Sequence, residues 1–489
     1  MRLLSTLVTT AAALLAIAQA QLTGRVGPLT TAAQKAAIKT CNVLNYGGKA
    51  DNTTDVSGPL YNAWLDCRDG GLVYIPPGNY VMDSWINLRS GNAAGVQLDG
   101  IIYRRGTDGG TMITIRGCND FEFFSGTSKG AIQGGGWEFL KDDLYGPRFI
   151  RVEQTHSFSM HGFALVDSPA YYTVFDDVSD GEIYNIIMRG ITVGMTDGVD
   201  LAGSNVWVHD IEITNGDECV TVKSGSSNLL IESIHCNISG GNAIGSLGTG
   251  TSISDVLYRN IYCNQADPAY LKTNNGSGTV KNIMWDNVIV HGGAYVLALN
   301  EGWGEDRGST GVQLTNLTFK NWWGYNSNNS RAVIRLECDP DVPCTGITLS
   351  NINLWTNAAG ATNVKWTCQS AFGSGACLRK TPATSYAYSA TTVSTAPATW
   401  STVRMPNDHS SAFPRTKFTI PPIPTTFFPG LKPFSKLLSI SGPGGLNKEV
   451  GEAREVEPTA IIAENRMHLT DVPAPISVPD FPVATLTTF

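Results

Sequence analysis

From about Val96 onward the chain repeats one short phrase: apolar, two residues, apolar, one residue, apolar. It reads Met160-Phe163-Leu165, Ile183-Ile186-Met188, Val208-Ile211-Ile213 and Ile231-Ile234-Cys236, then Tyr258-Ile261-Cys263, Trp285-Val288-Val290, Leu314-Leu317-Phe319 and Leu349-Ile352-Leu354. Successive copies start 23 to 35 residues apart, and Leu98-Ile101-Tyr103 resembles an earlier one. Inside the phrase sits a recurrent Asn, Asp or Gly: Gly162, Asn185, Asp210, Asn260, Asn287, Asn316 and Asn351. A shorter strand-like piece follows most copies, near 172–175, 198–201, 219–223, 243–247, 269–272, 295–299 and 333–336. A period of this length with two or three short strands per repeat means a solenoid. Helical repeats need apolar residues at i, i+3, i+4 and i+7 over a dozen residues, and these runs are too short and too β-branched. Stacked parallel coils bury their inward residues and leave open edges only at the ends. The expected fold is therefore all-β, a right-handed parallel β-helix, the hand following from the preference for right-handed crossovers.

The ends read differently. Met1-Arg2, an apolar run to Ala18 and the small-x-small Ala18-Gln19-Ala20 predict a secretory signal over residues 1–20, cut before Gln21. No later stretch is long and apolar enough for a membrane span, so a secreted, extracellular protein is expected. The catalytic domain is expected over 21–435, with 21–95 capping the coil, a short helix at Gln34 to Thr40, and a poorly ordered tail at 436–489. Beyond Trp355 the period fades into Ser/Thr/Ala-rich and then Pro/aromatic-rich sequence. A net charge of −8 argues against a nucleic-acid partner. The ten cysteines suit an oxidising compartment. Cys219/Cys236, Cys338/Cys344 and Cys368/Cys377 are close enough in sequence for local disulfides, and Cys41/Cys67 could staple the N-terminal cap. Metal ligation is the competing reading, without a Cys-x-x-Cys or a His cluster to support it. Sequons at Asn52, Asn237, Asn275, Asn316 and Asn328 are candidate glycosylation sites.

The chemistry is concentrated in Thr196-Asp-Gly-Val-Asp200 and Asn215-Gly-Asp-Glu-Cys219, two acidic clusters in Gly-containing turns. Asp197 and Asp217 are twenty residues apart, almost one coil. Neighbouring rungs are about 4.8 Å apart, so the clusters should face the same way with carboxyl groups roughly 5 to 9 Å apart, the range of glycoside chemistry. Crowded carboxylates raise one another's pKa, which sets a proton donor beside an acceptor. The bland alternative is a pair of solvated acidic turns. Lys223 and Lys272 on later rungs could bind a substrate carboxylate, or simply be solvated at strand ends. Tyr270, Tyr295 and Trp303 could stack on sugar, whereas Asp200 reads better as a turn cap bonded to backbone amides. Trp322-Trp323 reads as packing beneath a loop. The exposed face of such a coil is a long shallow groove, suited to a polymer rather than a small molecule.

These segments resemble the motifs of the pectin-degrading glycoside hydrolases of family 28. Where polygalacturonases of that family carry Asn-Thr-Asp, Asp-Asp-Cys, Gly-His-Gly and Arg-Ile-Lys, this chain has Thr196-Asp197, Asp217-Glu218-Cys219, Gly241-Asn242-Ala243 and Tyr270-Leu271-Lys272. The Asp-Glu-Cys variant and the missing His and Arg are similar to the rhamnogalacturonase branch. So is the start Gln21-Leu22-Thr23-Gly24 through Leu29-Thr30, and the likeness runs to about Pro433. The resemblance implies Asp217 as general acid, Asp197 and Glu218 as bases holding the attacking water, and hydrolysis of rhamnogalacturonan with inversion. It implies no cofactor or metal; a monomer is expected. The rung Val296-Leu-Ala-Leu-Asn-Glu301 departs from that branch, where acidic residues are expected, and leaves endo against exo action open. Two other classes compete: a calcium-dependent pectate lyase, which needs a carboxylate cage and a basic residue as base, and a non-catalytic carbohydrate-binding solenoid.

Overall fold

The inward positions of the repeat stack as expected. The computed structural model describes residues 22–428 apart from 275, 305–310, 328–330, 358–362, 381–384, 399, 401–403 and 425. The expected signal segment and the 436–489 tail lie outside the described residues. Every strand pair but one is parallel, each strand joining its counterpart one coil earlier and one coil later. Val96, Phe123, Met160, Ile183, Val208, Ile231, Tyr258, Trp285, Phe319 and Leu349 follow one another in register along one column. Nearly all of them are fully buried in one continuous core. The protein is a parallel β-helix.

The recurrent Asn, Asp or Gly marks a bend. Gly162, Asn185, Asp210, Asn260, Asn287 and Asn351 all have φ between 49° and 78°, the left-handed region that Asn, Asp and Gly enter most cheaply. Side-chain amides then bond from coil to coil, as from Asn287 to Asn260 at 2.8 Å. Asn316 belongs to a second bend, where it donates to Asn282 at 2.8 Å. The register therefore corrects one repeat copy: Trp285, Val288 and Val290 pair with Phe319, Trp322 and Gly324, not with Leu314, Leu317 and Phe319. Trp322 fills the second position of the phrase inside the coil, fully buried, and does not lie beneath a loop.

The coil also begins earlier than expected. Thr40–Asn42, Leu72–Ile75 and Asn92–Leu98 already pair as parallel rungs, so much of 21–95 is solenoid. The cap proper is two helices. Ala32–Ile38 starts at a capping box between Thr31 and Gln34. Ser57–Cys67 buries Leu60, Ala63, Trp64 and Cys67 on the first coils. At the other end Ala387–Val393 runs antiparallel to Asn363–Gln369 and closes the last edge. All four expected disulfides are present, Cys41–Cys67, Cys219–Cys236, Cys338–Cys344 and Cys368–Cys377, while Cys118 and Cys263 are buried thiols.

Both ends of the described residues pack on outward faces. Leu22 and Val26 pack on Trp207 and Leu230. Residues 404–428 lie along a second face, with Asp408 bonded to His235 at 2.9 Å and Asn407 to Glu212 at 2.8 Å. Phe418, Ile420 and Ile423 of that arm cover Ala131, Ala164 and Ile187. One sequon is corrected here: Asn237 is completely buried, donates to Thr214 and accepts from Asn264, which leaves no room for a glycan. Asn52 and Asn316 are exposed; Asn275 and Asn328 lie outside the described residues. Among the described residues no helix is long and apolar enough to cross a membrane.

Trp285 shows what the column contributes. It is sandwiched between Tyr258 and Phe319, with ring centroids 5.1 and 4.7 Å away and planes nearly parallel. Trp285→Ala should cost about 3–5 kcal/mol by opening a cavity between coils, read as a fall in the urea midpoint with the fold retained.

Candidate active site

The site forms on the third outward face, where two consecutive turns are tied together. Asn215 donates to the carbonyls of Thr196 and Glu218 at 2.6 and 2.8 Å, and the Thr196 hydroxyl donates to the Val193 and Asn215 carbonyls. The Gly198 amide donates to the Glu218 carbonyl at 2.9 Å, so Asp197 and Glu218 are neighbours on adjacent rungs. Gly216 makes the second turn possible: its φ is +90°, and a Cβ there would sit 2.3 Å from the Thr192–Val193 peptide. The turn delivers Asp217, half-buried, whose carboxyl accepts from the Met195 amide and, at 3.0 Å, from the Glu218 amide.

Asp197, Asp217 and Glu218 are thus brought together, one oxygen of each within 4.8 Å of the others. That is tighter than the expected 5 to 9 Å. The Lys272 ammonium, which donates to Glu218, and protons shared among the acids offset the repulsion that would hold them apart. On distance alone the three could also hold a cation, but Lys272 already places positive charge there. Both lysines expected to meet substrate are engaged with protein acids. Lys223 lies 3.3 Å from Asp200 and donates to the Gly245 carbonyl at 3.0 Å. Asp200 is not a turn cap: it sits inside the cluster, and one of its buried oxygens has no hydrogen-bond partner. Tyr270 and Trp303 flank Lys272, with ring centroids 5.7 and 4.8 Å from its Nζ, and Tyr295 stacks beyond Tyr270 at 6.3 Å.

The electrostatics separate the acids. Burial pushes Asp217 well above the ordinary carboxylate range, and the neighbouring Glu218 charge adds to it. Burial raises Asp197 as well, with Asp200, Asp217 and Glu218 all contributing. Burial acts on Glu218 too, but the hydrogen bond from Asp217 and the Lys272 ammonium overcome it and bring its pKa down to about 2. A protonated donor therefore stands beside an ionised acceptor, the arrangement general acid–base catalysis needs.

Three groups beside the cluster were not anticipated. Tyr171 occupies the rung before Asp197, and burial and the surrounding Asp charges raise its pKa. The Arg148 guanidinium packs over its ring at 5.1 Å. Tyr145, exposed, feels the charge of Asp217. The signal for Tyr171 was its place one repeat before Asp197; Arg148 and Tyr145 carry no periodic mark.

Several buried acids outside the site share the upward shift. Burial raises Asp167 to about 6, Asp267 to about 7 and Glu301 to about 8. The folded state keeps these protons where the unfolded chain, with ordinary carboxyls near ~4, has lost them. Their contribution to stability is lost as pH rises from about 4 through those values. His209 has the same sign: burial lowers its pKa, but bonds to Asp210 and Glu182 outweigh that and raise it to about 9. The melting temperature should therefore be highest near pH 4–5 and fall steadily to pH 8, as scanning calorimetry across that range would show.

The comparisons with known proteins bear on the family. The Glycosyl hydrolases family 28 model matches residues 104–377. The chain is 55% identical over 434 residues to a "Probable rhamnogalacturonase C" of Aspergillus niger, covering 88% of this chain and 94% of that protein. It is 48% identical over 427 residues to "Rhamnogalacturonase A" of Aspergillus aculeatus, covering 86% and 97%. Among solved structures, the endo-xylogalacturonan hydrolase from Aspergillus tubingensis superposes with a TM-score of 0.60 at 21% identity, covering 65% of this chain and 93% of that one. The exopolygalacturonase of Thermotoga maritima gives 0.56 at 16%, covering 76% and 97%. At those identities the two structures bear on the fold alone. With the family model spanning more than half of the chain and the acid cluster within it, this protein is a glycoside hydrolase and belongs to family 28.

Proposed function

We propose that this enzyme is secreted and hydrolyses the galacturonosyl–rhamnose linkages of rhamnogalacturonan, the alternating backbone of pectin. The observation that carries the reading is the acid cluster on an outward face of the coil, with a proton-holding Asp217 beside an ionised Glu218, together with near-full-length similarity to proteins named rhamnogalacturonases. Asp217 protonates the leaving oxygen. Glu218 takes a proton from the attacking water, and Asp197 beside it holds that water by hydrogen bonding. Lys272 keeps Glu218 ionised at the acidic pH where Asp217 remains protonated. Asp200 and Lys223 pair with each other beside these acids. Tyr270, Tyr295 and Trp303 present ring faces to sugar.

Inversion is part of the proposal and follows the family resemblance; the acids themselves, one oxygen of each within 4.8 Å of the others, stand closer than the separation that leaves room for a water. Proton NMR of the first-formed anomer checks it, and retention would overturn it. The substrate is tested by digesting rhamnogalacturonan and homogalacturonan side by side and sequencing the products. Brisk cleavage of homogalacturonan alone would sink the rhamnogalacturonan reading. Galacturonic acid monomers alone would assign an exo enzyme.

A further inference from the structure

Beyond the acid cluster, the groove carries a cationic strip that the general acid–base chemistry does not use. Tyr270, Ala298 and Arg335 succeed one another on three consecutive rungs of one column, so Arg335 is roughly 10 Å along the coil from Tyr270. The small Ala298 between them is fully buried. Tyr295 stacks on Tyr270 with planes 21° apart, and two guanidinium groups pack over it, Arg331 at 4.5 Å and Arg335 at 5.5 Å from the ring centroid. Glu337 takes one N–H of Arg335 at 2.5 Å and holds the fork in place. A guanidinium has five donors, and the other four of Arg335 have no partner among the described residues.

An isolated surface ion pair of this kind contributes little to stability. Arg is the side chain whose geometry matches a carboxylate.

We propose that Arg335, with Arg331 and the Tyr295 face, forms a carboxylate-reading subsite that binds a hexuronate of the substrate away from the scission point and so sets the register in which the polymer lies. This rests on the reading of the substrate as an alternating acidic polymer. In such a chain only every second sugar carries a carboxylate. A cationic reader fixed relative to Asp217 and Glu218 accepts one register, since sliding by one sugar sets a neutral rhamnose against the guanidinium. Arg335 is thus a specificity residue for which linkage reaches the acids, and Lys272, bonded to Glu218, is not available for that task.

The test compares wild type, Arg335→Gln and the double variant Arg331→Gln/Arg335→Gln. On rhamnogalacturonan, Arg335→Gln should raise KM ten- to a hundredfold, as expected for one charge-assisted contact, with kcat within about threefold. Arg335→Lys should recover only part of the loss. Raising ionic strength should bring the wild-type KM toward that of the variant. In parallel, titration calorimetry with oligogalacturonate and with neutral galacto-oligosaccharide separates charge reading from general groove binding. Only the acidic probe should lose affinity in the variants. A KM and an oligogalacturonate Kd within twofold of wild type in the double variant would overturn the subsite. If wild type leaves rhamnogalacturonan uncut, the substrate reading fails instead, and the oligogalacturonate titration still decides this one.

Discussion

Asp217→Asn is expected to lower kcat about a thousandfold or more, the scale on which a positioned general acid contributes, without unfolding the coil. The Met195 and Glu218 N–H groups meet different oxygens of Asp217, so the amide keeps one of these two bonds and can donate its NH2 to the Glu218 carboxylate, while Asn215 still ties the turn together. What it cannot do is deliver a proton to the leaving oxygen. Because the native carboxyl is held protonated at a cost that grows with pH, its removal should raise the melting temperature at pH 7–8 and leave it nearly unchanged at pH 4. Kinetics and calorimetry on one preparation check both halves. Retention of more than a tenth of the activity would remove Asp217 from the role of acid.

Lys272→Gln should be nearly as damaging to activity and much more damaging to stability. It leaves Glu218 buried without its ammonium partner, a change that costs about 3–5 kcal/mol when a buried pair is broken. Burial of Glu218 is then opposed only by the hydrogen bond from Asp217 and the Lys223 charge, and its pKa moves up from about 2. In wild type the lowered pKa of Glu218 stabilises the fold above the ordinary carboxylate value and is lost only as pH falls through about 2. In the variant that stabilisation above the ordinary carboxylate value shrinks. Urea unfolding at pH 4 and pH 7 should therefore show the larger loss at pH 7, and the acidic limb of the rate profile should move upward. An equal loss at both pH values would mean that packing of the lysine stem, not its charge, is what the site requires.

The coil was legible because inward residues obey one rule at every turn: Val208, Ile231 and Tyr258 must fill the same space, so their spacing survives in the sequence. The acid cluster was legible because Asp197 and Asp217 stand almost one coil apart in turns that only small or polar residues can make. The slip at Leu314 arose because two bends per coil carry the same Asn-plus-apolar signature, and only strand pairing tells them apart. The helix Ser57–Cys67 could have been found, since Leu60, Ala63, Trp64 and Cys67 fall at helical spacing. Outward residues had no such rule. Arg148 and Arg335 owe their neighbours to rungs 20 to 40 residues away, and nothing periodic marks them. The role given to Asp200 failed for a related reason: its partner Lys223 is close in sequence, yet the contact exists only once the next coil folds back beside it.

A stack of coils that touch only their neighbours would lose order one coil at a time from a free end, as repeat proteins do. The docked arm changes that. Arg404 reaches Asn264 and Tyr325, Asn407 reaches Glu212, and the Phe418 carbonyl accepts from Gln133, so one short segment bridges coils nearly two hundred residues apart in sequence. Fraying of the last coils alone cannot release it, and the middle coils cannot open until it peels away. It turns a zipper into a bound sheaf: unfolding becomes concerted over the length the arm covers, and a proteolytic nick just before residue 404 would untie the sheaf without touching a single rung.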